Sequence, residues 1–189
     1  MRRILKRVRQ EDMIPLLETE RLRFRAWNAA DFEPFAAIYA DEAHARYIGG
    51  ACERDEAWRR LAGVIGHWTL RGYGLWALEA KRDGSFVGWA GLWNPEGWPE
   101  PEVGWTLVPA AHGQGLATEA ALRARAYAYD KLGWTTAVSL ISLPNQASVA
   151  VAERLGARME RTMMFREIET GIFRHPDKTG NLTFRRQFQ

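Results

Sequence analysis

The stretch from Leu75 to Val108 constrains this chain more than any other. LWALEA and FVGWAGLW read as two strands joined by KRDGS, whose Asp-Gly pair is a hairpin-turn signal, and EVGWTLV follows as a third strand beyond the proline-rich loop NPEGWPEP. An antiparallel run of this kind leads directly into AHGQGLATEA, residues 111–120, where two glycines one apart precede an alanine-rich stretch. Glycine lets a ligand approach the main chain closely, and a helix N-terminus exposes unpaired N–H groups at the positive end of its dipole. Together they suit an anion, most often a phosphate.

Other elements fall around this centre. In LETERLRFRAW, Leu22, Phe24 and Ala26 alternate with Arg21, Arg23 and Arg25, which predicts a half-buried first strand. Asp31 is placed to cap a helix carrying Phe32, Phe35, Ala36 and Tyr39 on one face. A second helix is expected from about Asp55 to Thr69, with Trp58, Leu61, Ala62, Ile65 and Trp68 as its apolar stripe. Behind the glycines, a helix from about Ala117 to Lys131 presents Ala117, Ala120, Ala121, Ala124 and Ala128 for close packing. TTAVSLIS is a strand, ASVAVAERLG a short helix ended by Gly156, and the region from Arg158 to Phe188 supplies two last strands, with ETG and HPDKTGN as turns. No repeat, low-complexity tract or linker interrupts the order, so residues 13–189 are expected to form one domain.

Charge and cysteine content narrow the function classes. The formal charge of +3 rests on Arg2, Arg3, Lys6, Arg7 and Arg9; without these five, 21 basic residues face 23 acidic ones. Residues 1–12 are read as a basic tail, and no basic stripe continues beyond it, so nucleic acid is not implied. Cys52 is the only cysteine, which excludes an internal disulfide and a cysteine-rich zinc site and fits a reducing cytoplasm. His44, His67 and His175 show no metal-ligand spacing and are expected as surface or packing residues, so no metal is expected. No apolar run approaches the roughly 18 residues of a membrane span.

GQGLAT has several phosphate-site readings. A P-loop needs GK[ST], and no lysine follows; a dinucleotide fingerprint needs GxGxxG opening a βαβ unit, whereas GxGxxT follows an antiparallel run here. A glycine pair is also a common tight turn. The order strand, glycine loop, alanine-rich helix, strand, then Asn and Ser opening a helix resembles the GNAT superfamily of acyl-CoA-dependent N-acetyltransferases. The pattern [QR]-x-x-G-x-[GA] maps onto His112, Gly115 and Ala117, and N-x-x-S with a helix ending in L-G maps onto Asn145, Ser148, Leu155 and Gly156. LETERLRFRAW and GQGLATEA are similar to the RimJ/RimL-like branch, whose best-known members acetylate N-terminal amines of ribosomal proteins. His112 departs from the usual Gln or Arg, and Ala157 stands where Phe commonly follows the glycine.

The resemblance implies a mixed α+β fold: a central, mostly antiparallel sheet of six to seven strands, about four flanking helices, and fourth and fifth strands splayed into a cofactor cleft. It implies acetyl-CoA as co-substrate, bound by Leu107, Val108, His112, Gly113, Gln114, Gly115, Leu116, Ala117, Thr118, Asn145 and Ser148. The backbone N–H of Leu107 or Val108 is the expected oxyanion donor. The general base is Glu102, at the start of the fourth strand, or Glu167, expected in the sixth and favoured by the resemblance, because the RimJ/RimL-like branch carries a base glutamate at a matching distance after N-x-x-S. Many family members protonate the thiolate with a tyrosine in the helix after the Asn, and none follows Asn145 here. The resemblance implies Ser148, which matches the serine used in this branch, as the acid, with a local helix-start bond as its alternative role, while Asn145 caps the helix or holds a pantetheine amide. Trp93 and Trp98, with Glu96, Glu100 and Glu102, are candidate walls of an acceptor cleft that favours a cation. The expected partners are acetyl-CoA and an amine acceptor, a protein N-terminus or a small molecule, for a cytoplasmic monomer or homodimer. A protein that binds acyl-CoA as a sensor without turnover is the alternative.

Overall fold

The structure is a computed structural model that describes residues 14–184; the expected basic tail lies outside the described residues. One sheet of eight strands organises it: β1 (Leu17–Glu18), β2 (Leu22–Arg25), β3 (Leu75–Ala80), β4 (Phe86–Trp93), β5 (Glu102–Leu107), β6 (Val138–Ser142), β7 (Arg158–Phe165) and β8 (Ile168–Arg174), in the spatial order β1-β2-β3-β4-β5-β6-β8-β7. The helices are α1 (Phe32–Ala40), α2 (Glu42–Ala45), α3 (Arg54–Arg71), α4 (Leu116–Lys131) and α5 (Gln146–Arg154). Every neighbouring pair is antiparallel except β5 with β6. A parallel pair needs a long crossover, and α4 supplies it. This is the mixed α+β architecture that the sequence implied. Its strand count is higher because LETERLRFRAW breaks into β1 and β2, and the short α2 raises the helix count to five.

Both faces of the sheet are covered, which explains the nearly continuous burial of β3. Alternate residues serve opposite cores: Trp76 and Leu78 pack with Ala120, Ala121, Ala124 and Ala128 of α4, while Leu75 and Ala77 join Phe35 and Tyr39 of α1 and Leu61 and Val64 of α3. These four alanines are fully buried, and Ala117 half-buried, because small side chains let the helix backbone lie close to β4 and β5. Gly88 serves the same closeness. Its φ is +134°, and a Cβ there would fall 2.1 Å from the Thr106 carbonyl oxygen.

Several local readings hold and some shift. The Asp-Gly turn closes β3 onto β4, with Asp83 accepting from the Ser85 N–H and hydroxyl. The buried stripe of α3 is Ala57, Leu61, Val64, His67 and Trp68, so Trp58 turns outward and packs its ring edge against Phe32. ETG is no turn: Glu169, Thr170 and Gly171 lie inside β8, and the chain reverses at Arg166 and Glu167, with φ of +49° and +66°. Glu167 is therefore an exposed turn residue, not a residue of the last strands.

Behind β6 and β8 sits a buried ionic group. Arg174, 1% exposed, donates to Glu100 through both terminal nitrogens, at 2.8 and 3.1 Å, and to Glu160 at 2.7 Å. Arg161 stands 3.6 Å from Glu100. Beside it, buried His175 bridges Arg125 and Ser139. Burial, with the nearby charges of Arg125 and Arg174, pushes its imidazole down to about 3. Among the described residues, no helix is long and apolar enough to cross a membrane.

Replacing Arg174 by Ala withdraws the central cation from two buried carboxylates and is expected to cost about 3–5 kcal/mol in urea unfolding at neutral pH. His175 makes a separate, pH-dependent prediction. The unfolded imidazole binds a proton near 6.5 and the folded one only near 3, so stability is full above pH 6.5 and falls as pH drops from 6.5 towards 3. His175→Asn should flatten that slope in urea titrations at a series of pH values.

Candidate active site

The parallel pair β5 and β6 touches only at its start. Glu102 and Val138 are the sole register partners, and Val138 N–H donates to the Pro101 carbonyl at 3.1 Å. Beyond that point the strands diverge, which frees a row of backbone groups. The Glu102 carboxylate takes up the first of them, since its Oε1 accepts from the Leu140 N–H at 3.1 Å while its Oε2 accepts from Trp98 Nε1 at 2.7 Å. Both donors are neutral. Burial therefore dominates, and it pushes the carboxyl up to about 7 although each hydrogen bond pulls the other way. Ser139 makes the second link across the gap, donating to the Val103 carbonyl at 2.6 Å and contacting His175 Nε2 at 2.9 Å.

The parity of β5 decides which of its amides face the opening. Val108 N–H donates to the Val87 carbonyl at 3.0 Å, so the alternation of an antiparallel ladder turns the main-chain groups of Val103, Trp105 and Leu107 away from β4. The Ser139 bond to the Val103 carbonyl agrees with that assignment. Val108 is thus corrected as an oxyanion donor, because its N–H is committed to β4. The Leu107 N–H stays available, and that of Trp105, which was not one of the two expected donors, faces the same side. The Leu107 carbonyl accepts from Nε2 of His44, at 2.9 Å, and of His112, at 3.0 Å, whose rings stack 5.1 Å apart.

At the far end of β5 lies the glycine loop. Gly113 and Gly115 have φ of +72° and +77°, and Gly115 is the N-cap of α4 without a side-chain cap bond. Among the described residues, no backbone N–H from Gly113 to Thr118 has a protein acceptor. Leu116 buries its side chain in the core, while residues 112–115 are exposed. Gln114 turns its side chain back onto the Ala110 carbonyl, 2.9 Å away, and offers the loop only its backbone. Arg21, which carried no expected role, holds this bend: it donates to the Gln114 carbonyl at 2.8 Å and to Glu119 through Nε at 2.7 Å, with its own backbone N–H on the other carboxylate oxygen at 3.0 Å. An arginine opening a strand 93 residues earlier gives no local signal of this contact.

Asn145 caps α5, its side-chain oxygen accepting from the Ser148 N–H at 3.2 Å. The Ser148 hydroxyl makes no protein hydrogen bond among the described residues, and both side chains line a cavity of about 650 Å³ that runs along the splay past Glu102. Of the two candidate bases, the structure brings only Glu102 to that cavity. Glu167 sits at the tip of the β7–β8 hairpin, outside the lining. The aromatic wall is Trp89, Trp93, Trp98, Tyr39 and Phe165, and Trp93 is steadied by buried His67, stacked 4.4 Å away. Glu96 is fully exposed, and Glu100 is held in the Arg174 group, so of the three acidic residues expected around the acceptor cleft Glu102 alone lines it. Among the described residues, no group of three or more His, Cys, Asp or Glu gathers to hold a metal ion.

Comparison with known proteins identifies the family and the fold. A family model described as the acetyltransferase (GNAT) domain matches residues 21–158. The solved structure of an acetyltransferase from Agrobacterium tumefaciens is 31% identical, with a TM-score of 0.80, over 86% of this chain and 94% of that one. The YkkB protein of Bacillus subtilis is 28% identical over 78% of this chain and 87% of its own length. RimL, a ribosomal L7/L12 alpha-N-protein acetyltransferase solved with coenzyme A, shares the fold at 17% identity, with a TM-score of 0.71 over 85% of this chain and 97% of that one.

Carboxyl infrared difference spectra of wild type and Glu102→Gln across pH 4–9 should isolate one carboxyl group that titrates near 7. Trp98→Phe removes a donor to the charged form and should move that midpoint upward.

Proposed function

Because this chain belongs to the GNAT acetyltransferase family, we propose that it moves the acetyl group of acetyl-CoA to a primary amine by direct attack on the thioester. The observation that carries this reading is the run of amides from Gly113 to Thr118 without a protein acceptor among the described residues, where α4 begins beyond the strand that lines the cavity. That run suits the pyrophosphate of coenzyme A. The pantetheine arm would then lie against the open edge of β5 as an added strand would, with the Asn145 side-chain amide within the same cavity wall.

The chemistry follows from the groups around that arm. The amine nitrogen attacks the carbonyl carbon, and the carbonyl oxygen takes the electron pair under the N–H of Trp105 or Leu107. Glu102 accepts the proton released by the amine, directly or through water. A carboxyl group near 7 suits this role, being half ionised at neutral pH and strong enough as a base to receive the proton. The C–S bond breaks, and the departing sulfur takes a proton through the Ser148 hydroxyl, which regains one from water, while the proton held by Glu102 returns to solvent. An α-amine with a pKa near ~8 costs less than ~2 kcal/mol to deprotonate at neutral pH and a lysine amine roughly 4–5, so a weak base serves the first better. The acceptor is a protein N-terminal amine or a small-molecule amine, and a cytoplasmic setting fits the use of acetyl-CoA.

A time course of thiol release from acetyl-CoA with a panel of amines tests the reading. Release that depends on the amine is expected; release at background with every amine would make the protein an acyl-CoA sensor. In calorimetry, Gly115→Asp should abolish acetyl-CoA binding while circular dichroism stays unchanged, since it sets bulk and negative charge in the loop. Glu102→Gln should lower kcat/KM by about 100-fold or more and erase the rise of rate through pH 7. Ser148→Ala should reduce kcat with little change in acetyl-CoA affinity.

A further inference from the structure

Arg166 stands at the rim of the same cavity with its charge uncommitted. Its guanidinium lies over the Trp98 ring and over the Phe165 ring, 5.2 Å from each centroid, and among the described residues it has no carboxylate within ion-pair distance. These cation–π contacts give the guanidinium no hydrogen-bond acceptor, so its N–H donors remain for a planar anion. Arg60, another arginine of the lining, differs: its donors go to the carbonyls of Gly49 and Gly50, with Glu56 at 3.5 Å.

Backbone geometry places Arg166 there. The turn Arg166–Glu167 puts two residues with Cβ atoms in the left-handed region, at φ of +49° and +66°, where two-residue hairpins normally carry Asn or Gly. That conformation costs stability, and it lays the arginine back over Trp98. Trp98 then joins two opposite charges, with its indole N–H on Glu102 and its face beneath Arg166.

From this pairing we propose that the acceptor is a zwitterion, a small molecule that carries a carboxylate beside its amine: Glu102 receives the amine and Arg166 the carboxylate. A hydrogen bond at each end and the short span of an α-amino acid bridge the width of one indole. The aromatic wall of Trp93, Trp89 and Tyr39 selects an apolar side chain. This inference rests on the transferase reading above and makes Arg166 its specificity-determining residue. A protein N-terminus, which has a peptide carbonyl in place of the carboxylate, leaves Arg166 unused.

The test compares three matched pairs in the thiol-release assay: L-phenylalanine with phenethylamine, L-methionine with 3-(methylthio)propylamine, and L-phenylalanine with L-phenylalaninamide. Each is measured with wild type, Arg166→Ala and Arg166→Lys. Loss of one charge-assisted carboxylate contact predicts that Arg166→Ala lowers kcat/KM for the amino acids by about 10- to 100-fold, mainly through KM, and leaves the carboxylate-free amines within about twofold. Arg166→Lys should restore part of the loss. Because each variant is compared on the same substrate, differences in amine basicity cancel. Equal effects of Arg166→Ala on acids and carboxylate-free amines, or faster turnover of the amide and peptide N-termini than of the free acids, would overturn the zwitterion and leave the transferase standing. Background release with every amine would overturn both.

Discussion

The separation of β5 from β6 after a single point of contact is the constraint from which the site follows. Two parallel strands that stayed paired would satisfy each other's amides and leave no cleft. Here the pairing ends at Glu102 and Val138, and the orphaned Leu140 N–H draws a carboxylate into the gap. The same divergence leaves the N–H groups of Trp105 and Leu107 without a strand partner on that side and gives Ser139 a place to bridge to Val103. The crossover helix that makes the pair parallel also delivers its own unpaired N-terminus to the end of β5. Cleft and bare helix N-terminus thus share one topological cause.

Glu100 and Glu102 show how two carboxylates two residues apart come to differ. Both are buried. Glu100 meets Arg174 and Arg161, whose charges compensate its own, and serves to tie β8 to the approach of β5. Glu102 meets only an indole N–H and a peptide N–H in the hydrogen bonds described, which satisfy its oxygens without neutralising it. Glu100 lies in the loop before β5 and reaches the ionic group behind the sheet, whereas Glu102 opens the strand and lines the cavity, and their chemistry separates accordingly.

What the sequence revealed, it revealed through local rules. The Asp-Gly hairpin, the alanine face of α4, the glycines that bare its N-terminus and the Asn145 cap all depend on neighbours within a few residues, and all are found in place. Readings that needed a partner far away in the chain were lost. Nothing local marks Arg21 as the brace of a loop 93 residues on, or Glu102 as the carboxylate facing the cavity in preference to Glu167. The turn at Arg166–Glu167 was missed for a different reason: its residues are poor left-handed formers, while Gly171 nearby looked like the natural corner. Trp58 kept the helical period but fell at the edge of the stripe, where the packing of α1 decides burial.

The brace between Arg21, Glu119 and the Gln114 carbonyl joins the second strand's threshold to the first turn of α4. It fixes the bend at its acceptor side and leaves the donor side bare, so the curvature of the loop is set when the sheet and helix dock. An anion bound there would meet a bend already held by these contacts, so that less ordering entropy would remain to be lost on binding.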